Sequence, residues 1–127
     1  MTRAEQAVAL KHTGCNCAQA VLCAFADKTG LPEETLKKIG AGFGAGMGCM
    51  EGTCGALCAA EVLLGLATYT GKPVMKDAAS IHRQFQEQCG ASLCKDLKGR
   101  DTGTVLCNCD DCVKNAVEIA EGFLSDV

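Results

Sequence analysis

Cysteine dominates the chemistry open to this chain. Eleven occur in 127 residues. Most fall into four groups: Cys15-Asn16-Cys17; then Cys49, Cys54 and Cys58; then Cys89 and Cys94; and last Cys107-Asn108-Cys109-Asp110-Asp111-Cys112. Thiolates ligate soft and borderline metals, so four groups converging in one small protein suit either a structural zinc or an iron–sulfur cluster. Spacing decides only partly between them. Cys109 and Cys112 form the only CxxC pair, which matches neither the paired CxxC motifs of a zinc ribbon nor the compact cysteine run of a ferredoxin. A buried free cysteine is also an ordinary small hydrophobe, and Cys23 and Cys89 read equally well that way.

Other residues offer competing chemistry. Cys54, Cys58 and Glu61 recur at i, i+4 and i+7 and share one helical stripe. Glu61 is the only charged residue between Gly52 and Gly71, so it is either a ligand or proton acceptor beside a metal or simply a solvent-facing side chain, the commoner outcome. Cys109-Asp110-Asp111-Cys112 ahead of a helix resembles a thiol–disulfide exchange site, because a helix N-terminus lowers a thiol pKa. The two carboxylates oppose a free thiolate by repulsion and favour a bound cation. Metal ligation is therefore preferred, with a thiol–disulfide oxidoreductase as the rival. His12 and His82 lack the Ser and Asp partners of a triad, and His12 is of interest only because it precedes Cys15 by three residues. The alternating glycines of Gly40-Ala41-Gly42-Phe43-Gly44-Ala45-Gly46-Met47-Gly48 give neither GxGxxG nor a following GK[ST]. They are read as backbone kept bare for close approach, with amides free to bond sulfur, or as a plain tight connection.

Composition narrows the class. The net charge of −3 has no block of like charge behind it, and five aromatic residues supply no stacking platform, so no nucleic acid is expected as a partner. Glu61 interrupts the longest apolar run before it reaches the roughly 18 residues of a membrane span. The first residues, Met1-Thr2-Arg3-Ala4-Glu5-Gln6, lack the apolar segment of a signal peptide, and an odd cysteine count leaves one sulfur unpaired in a full disulfide scheme. The expectation is a cytoplasmic protein with thiols or metal-bound thiolates, not a stapled secreted domain.

These residues must be positioned by helices. Apolar spacing predicts helices over about Thr2–Lys11, Asn16–Lys28, Glu33–Ile39, Thr53–Tyr69, Lys76–Gln88 and Asp111–Leu124, with Thr53 as cap of the long one and Gly71 as its stop. Residues 89–110 read as an irregular cysteine-rich segment with one helical turn near Leu93 to Leu97. No hairpin or βαβ pattern is present. The expectation is all-α: one domain over 1–127, a bundle of about five helices with a glycine-rich loop.

Asn16-Cys17-Ala18-Gln19-Ala20-Val21, Gly42 to Gly48, Thr53-Cys54-Gly55-Ala56, Cys94-Lys95-Asp96-Leu97 and Cys109 four residues before Val113 together resemble the redox-active family named for its C-GCAxxG-C-C cysteine pattern. The resemblance spans nearly the whole chain. It implies Cys17, Cys54, Cys94 and Cys109 as the family cysteines. It also extends to the helical cysteine domain of split-Soret cytochrome c, for which an iron–sulfur site has been proposed, and so favours iron over zinc. No CxxCH is present for covalent haem. The chain departs from the pattern at Cys58, where the family usually has glycine, and in its extra Cys15, Cys49, Cys107 and Cys112, which become secondary ligand candidates. The function implied is electron transfer or redox sensing through an iron–sulfur cluster, with a structural or storage zinc-thiolate protein as a further alternative. The partner expected is an electron donor or acceptor protein, and a homodimer is the assembly to test.

Overall fold

Thr2 starts the first helix by reciprocal capping. Its hydroxyl accepts the Glu5 amide while the Glu5 carboxylate accepts the Thr2 amide, which satisfies two orphan donors at the start of α1 (Arg3–Lys11). Asn16 and Gln19 repeat the device at the start of α2 (Cys17–Cys23). The computed structural model describes all 127 residues. Its further helices are α3 (Ala26–Thr29), α4 (Glu33–Gly40), α5 (Gly55–Thr68), α6 (Met75–Cys89), α7 (Cys94–Lys98) and α8 (Cys109–Leu124).

The all-α class holds, but there are eight helices rather than about five. The expected helix 16–28 breaks at Phe25, whose backbone leaves the helical region at φ −112°, ψ 22°. Arg3 is the cause: it bonds the Ala24 carbonyl at 2.6 Å and lies 4.6 Å over the buried Phe25 ring, so the carbonyl is satisfied without a continuing helix. The helical turn expected near Leu93 to Leu97 is α7. A second difference is the start of the long helix. Thr53 does not cap it but forms an isolated antiparallel bridge with Leu93, leaving Cys54 at the cap position. That helix also ends at Thr68, ahead of Gly71, where Tyr69 turns extended.

One core of 29 buried residues joins these helices. It is built mainly from Ala, Leu, Val and Cys, with Phe25 and Phe85 as its large members. The apolar α5 lies at the centre, packed most extensively on α8 and α2, while α1 covers α8. Ala56, Ala59, Ala60, Ala116 and Ala120 are all fully or nearly fully buried and allow the close helix approach that small side chains permit. No helix is long and apolar enough to cross a membrane.

The glycine run does not form a regular helix. Ala45, Gly46, Met47 and Gly48 take φ values of 53°, 60°, 62° and 82°, a left-handed turn closed by Met47 N–H to Phe43 O and Gly48 N–H to Gly44 O. Alanine and methionine adopt this conformation at a cost of roughly 1–2 kcal/mol each, which the surrounding packing must offset.

Candidate metal centre

The four family-pattern cysteines occupy equivalent places in four different helices. Cys17 and Cys109 are the first residues of α2 and α8, each behind an Asn cap, Asn16 and Asn108. Cys94 is the first residue of α7, and Cys54 immediately precedes α5. All four line a single cavity of about 310 Å³, shared with Cys15, Ala45, Met50 and Lys98. Backbone bonds hold two of the segments together: Cys54 N–H to Ser92 O at 2.8 Å, Cys94 N–H to Gly52 O at 3.0 Å, and Lys95 N–H to Met50 O at 2.8 Å. Bare glycine backbone closes the wall. A Cβ on Gly55 would lie 2.6 Å from the Phe43 carbonyl oxygen and 2.8 Å from Cys17 Sγ, and one on Gly46 would overlap the Cys94 side chain.

The cavity stabilises negative charge. The Cys109 thiol donates to Cys17, and with help from the Ala45 and Ala18 amides it brings the Cys17 pKa down to about 7 despite burial and the nearby Cys54. Cys109 moves the opposite way, raised by its hydrogen bond to Cys17 and by burial. Cys54 is likewise lowered to about 7, chiefly by the Cys112 thiol, with the Leu57 and Ala56 amides of the first turn of α5 assisting. Cys94 is raised by burial. Lys98 is half-buried, and although burial opposes its charge, the sulfurs of Cys112, Cys109, Cys54 and Cys94 hold its ammonium above the usual lysine range. First-turn amides and a lysine thus supply the positive environment that thiolates require.

The sulfur spacing bears on what this site can hold. Four thiolates on one zinc stand about 3.8 Å apart, given Zn–S bonds near 2.3 Å. Cys89, Cys107 and Cys112 are the only His, Cys, Asp or Glu trio whose donor atoms all lie within 4.8 Å of one another. No three of the cavity cysteines have sulfurs that all lie within that distance of one another. Four thiols, a positive rim and an open volume fit a larger anionic group.

The description "Putative redox-active protein (C_GCAxxG_C_C)" belongs to a family model that matches residues 15–123. The chain belongs to this C_GCAxxG_C_C family. No curated protein and no solved structure matches it.

The remaining candidates fall into different places. Cys15 reaches the family cavity, and the deeply placed Cys23, raised to about 11 chiefly by burial, stands near Cys15 behind it. Cys49 is exposed, with its thiol toward the Gly46 carbonyl at 3.7 Å. Cys58 sits in the first turns of α5, 3.8 Å from the Thr53 carbonyl, and burial with the nearby Glu61 carboxylate pushes it up to about 11. Glu61 is half-buried and faces His82 at 3.7 Å; neither it nor Cys58 lines the cavity. His12 is not a neighbour of Cys15 but bonds Asp110 at 2.9 Å. Lys11 holds the other oxygen of that carboxylate at 2.8 Å, so Asp110 is neutralised and does not repel a thiolate as its place between Cys109 and Cys112 suggests. The two cysteines of the CxxC pair take different partners: Cys109 joins Cys17, whereas the fully buried Cys112 lies beside Cys54 and Cys89 and turns its thiol toward the Cys107 carbonyl at 3.6 Å. Cys107 and Cys112 meet Cys89, so a metal ion can be held there as well. Sequence reasoning missed Lys98. Its signal is spacing, one helical turn after Cys94, in the turn the sequence already places near Leu93 to Leu97.

Proposed function

We propose that this family member is a redox protein that binds an iron–sulfur cluster through Cys17, Cys54, Cys94 and Cys109 and uses it in electron transfer or redox sensing. The observation that carries the reading is the meeting of these four cysteines, each at the start of a different helix, around one cavity of about 310 Å³. When bound, such a cluster supplies one-electron chemistry whose potential follows burial, charge and hydrogen bonds to sulfur. The chain's own contribution is to ease ionisation of Cys17 and Cys54, with Lys98 and the amides of Ala45, Ala56 and Leu57 offsetting their charge, and to keep the sulfurs of Cys17, Cys54 and Cys94 out of bulk water. The reading takes residues 1–127 as one cytoplasmic domain that serves an electron donor or acceptor protein.

The experiment is purification without oxygen followed by iron, zinc and acid-labile sulfide analysis. A brown protein with iron and sulfide in comparable amounts is the expected result. A colourless anaerobic preparation with stoichiometric zinc and no sulfide would sink the cluster reading and leave the zinc-thiolate alternative.

A further inference from the structure

Behind the family cavity, Cys89, Cys107 and Cys112 form a second group of sulfurs, and none of the three is a cysteine of the family pattern. We propose that this trio is a second site for one three-coordinate, thiolate-seeking d10 cation of the cuprous type.

Four observations carry this. The first is geometry: the three Sγ atoms all lie within 4.8 Å of one another, so modest side-chain rotation brings them onto one ion. The second is their origin. Cys89 is the last residue of α6, Cys107 lies in the turn ahead of α8, and Cys112 is in that helix's first turns. The Cys107 segment is pinned, because the Leu106 and Cys107 amides both bond the Leu97 carbonyl, at 3.0 and 3.2 Å. The third is the surrounding shell: Asn115 Nδ2 donates to Cys89 Sγ at 3.3 Å, the kind of hydrogen bond that orients a ligating sulfur. The fourth is access. Cys107 and Asn115 share the wall of an open surface pocket of about 370 Å³, which gives an ion an entry path although the sulfurs themselves are buried.

The donor set selects among ions. Structural zinc is almost always four-coordinate, whereas soft thiolate sets also select monovalent copper. No fourth His, Cys, Asp or Glu donor joins the trio within the same 4.8 Å. Three-coordination is what the site offers. Binding releases the thiol protons to solvent and involves no change of oxidation state.

The test uses the full chain, reduced and anaerobic, titrated with Cu(I) delivered as its acetonitrile complex and, separately, with Zn(II), each against a competing chelator. The Cys17→Ala/Cys94→Ala variant removes two cavity sulfurs and keeps the trio. It is expected to retain one equivalent of Cu(I), at least tenfold more tightly than Zn(II). Adding Cys89→Ala or Cys107→Ala should abolish that equivalent, whereas adding Cys49→Ala should leave it unchanged. Should the parent variant not fold, wild-type protein is alkylated with and without one added Cu(I), and mass spectrometry is expected to show slower labelling of Cys89, Cys107 and Cys112 together. Retention of copper after loss of both Cys89 and Cys107, equal or tighter binding of zinc, or unchanged labelling of the trio would each overturn the proposal. Iron and sulfide content read on the same wild-type sample reports on the family cavity separately, so failure of one site is not mistaken for failure of the other.

Discussion

Cys54 and Cys23 are both deeply buried sulfurs, 3% and 4% exposed, yet they should differ sharply on substitution. Cys54 faces the cavity and is held by the Cys112 thiol and two first-turn amides. Cys23 turns its thiol toward the Glu33 carbonyl at 3.7 Å and does not line the cavity. Cys54→Ser is expected to lose the visible chromophore and lower the thermal midpoint together, while Cys23→Ser keeps the chromophore. Absorbance and thermal unfolding of the two variants check this, and full cluster content in Cys54→Ser would remove Cys54 from the ligand set. Away from the site, Asp27 accepts two bonds from Arg3, at 2.6 and 3.0 Å, and Arg3 holds its carboxyl below the usual carboxylate range. A lowered folded pKa means stabilisation that is present above the unfolded value and lost as pH falls through the folded one. Because the Asp27 side chain is 60% exposed, screening limits its worth to about 0.2–1 kcal/mol. Asp27→Asn should therefore be less stable than wild type at pH 7, and the gap should close in acid below the folded pKa, as read by urea unfolding at both pH values.

Within one helix, α5, two glycines have opposite tasks. Gly55 opens the helix against the site, where a Cβ would press on Phe43 and Cys17, whereas a Cβ on Gly65 would meet nothing within 4 Å. Helix propensity favours Ala over Gly by up to about 1 kcal/mol, while forcing atoms into a filled space costs typically about 1–3 kcal/mol. At Gly65 only the first effect operates, so Gly65→Ala should stabilise by up to about 1 kcal/mol. At Gly55 the second wins, so Gly55→Ala should destabilise and reduce cofactor content. Urea unfolding with metal analysis separates the two, and stabilisation by both substitutions would show that the loop yields freely to a Cβ at Gly55. The same reasoning explains the neighbouring left-handed turn. Ala45 is held at positive φ with its amide toward Cys17, and backbone strain of this kind persists where surrounding contacts over-determine it.

At the scale of the whole molecule, the proposed ligands tie four helix starts together, from residue 17 to residue 109. Metal-binding free energy available only to the folded arrangement contributes directly to stability. Removing the metal by anaerobic chelation should therefore lower the thermal midpoint, and the loss should be uneven. The core face shared by α5 and α8 is packed independently of the cavity, while residues 45–54 and 92–109 depend on a few backbone bonds and one isolated bridge. Hydrogen exchange should accelerate first in those two segments, with α5 and α8 staying protected. Uniform acceleration across the chain would mean that the cofactor supports the whole core.

Much of this was legible in the residues. Helical periodicity and the lack of β patterning determined the all-α class, because these are local effects decided within a turn or two of chain. The cysteine pattern determined the family and its four cysteines, since ligand identity is carried by residue type and order. What lay beyond the sequence were effects of residues distant in the chain. Arg3 reaches Ala24 and Phe25 and splits a helix; Leu93 takes Thr53 out of the long helix and leaves Cys54 at its cap; Lys11 and His12 neutralise Asp110. Cys89, read equally well as a mere hydrophobe, became part of a sulfur trio only when the end of α6 met the start of α8. Which sulfurs share a site depends on how helices pack, and packing is set by side-chain shape across the core rather than by spacing along the chain.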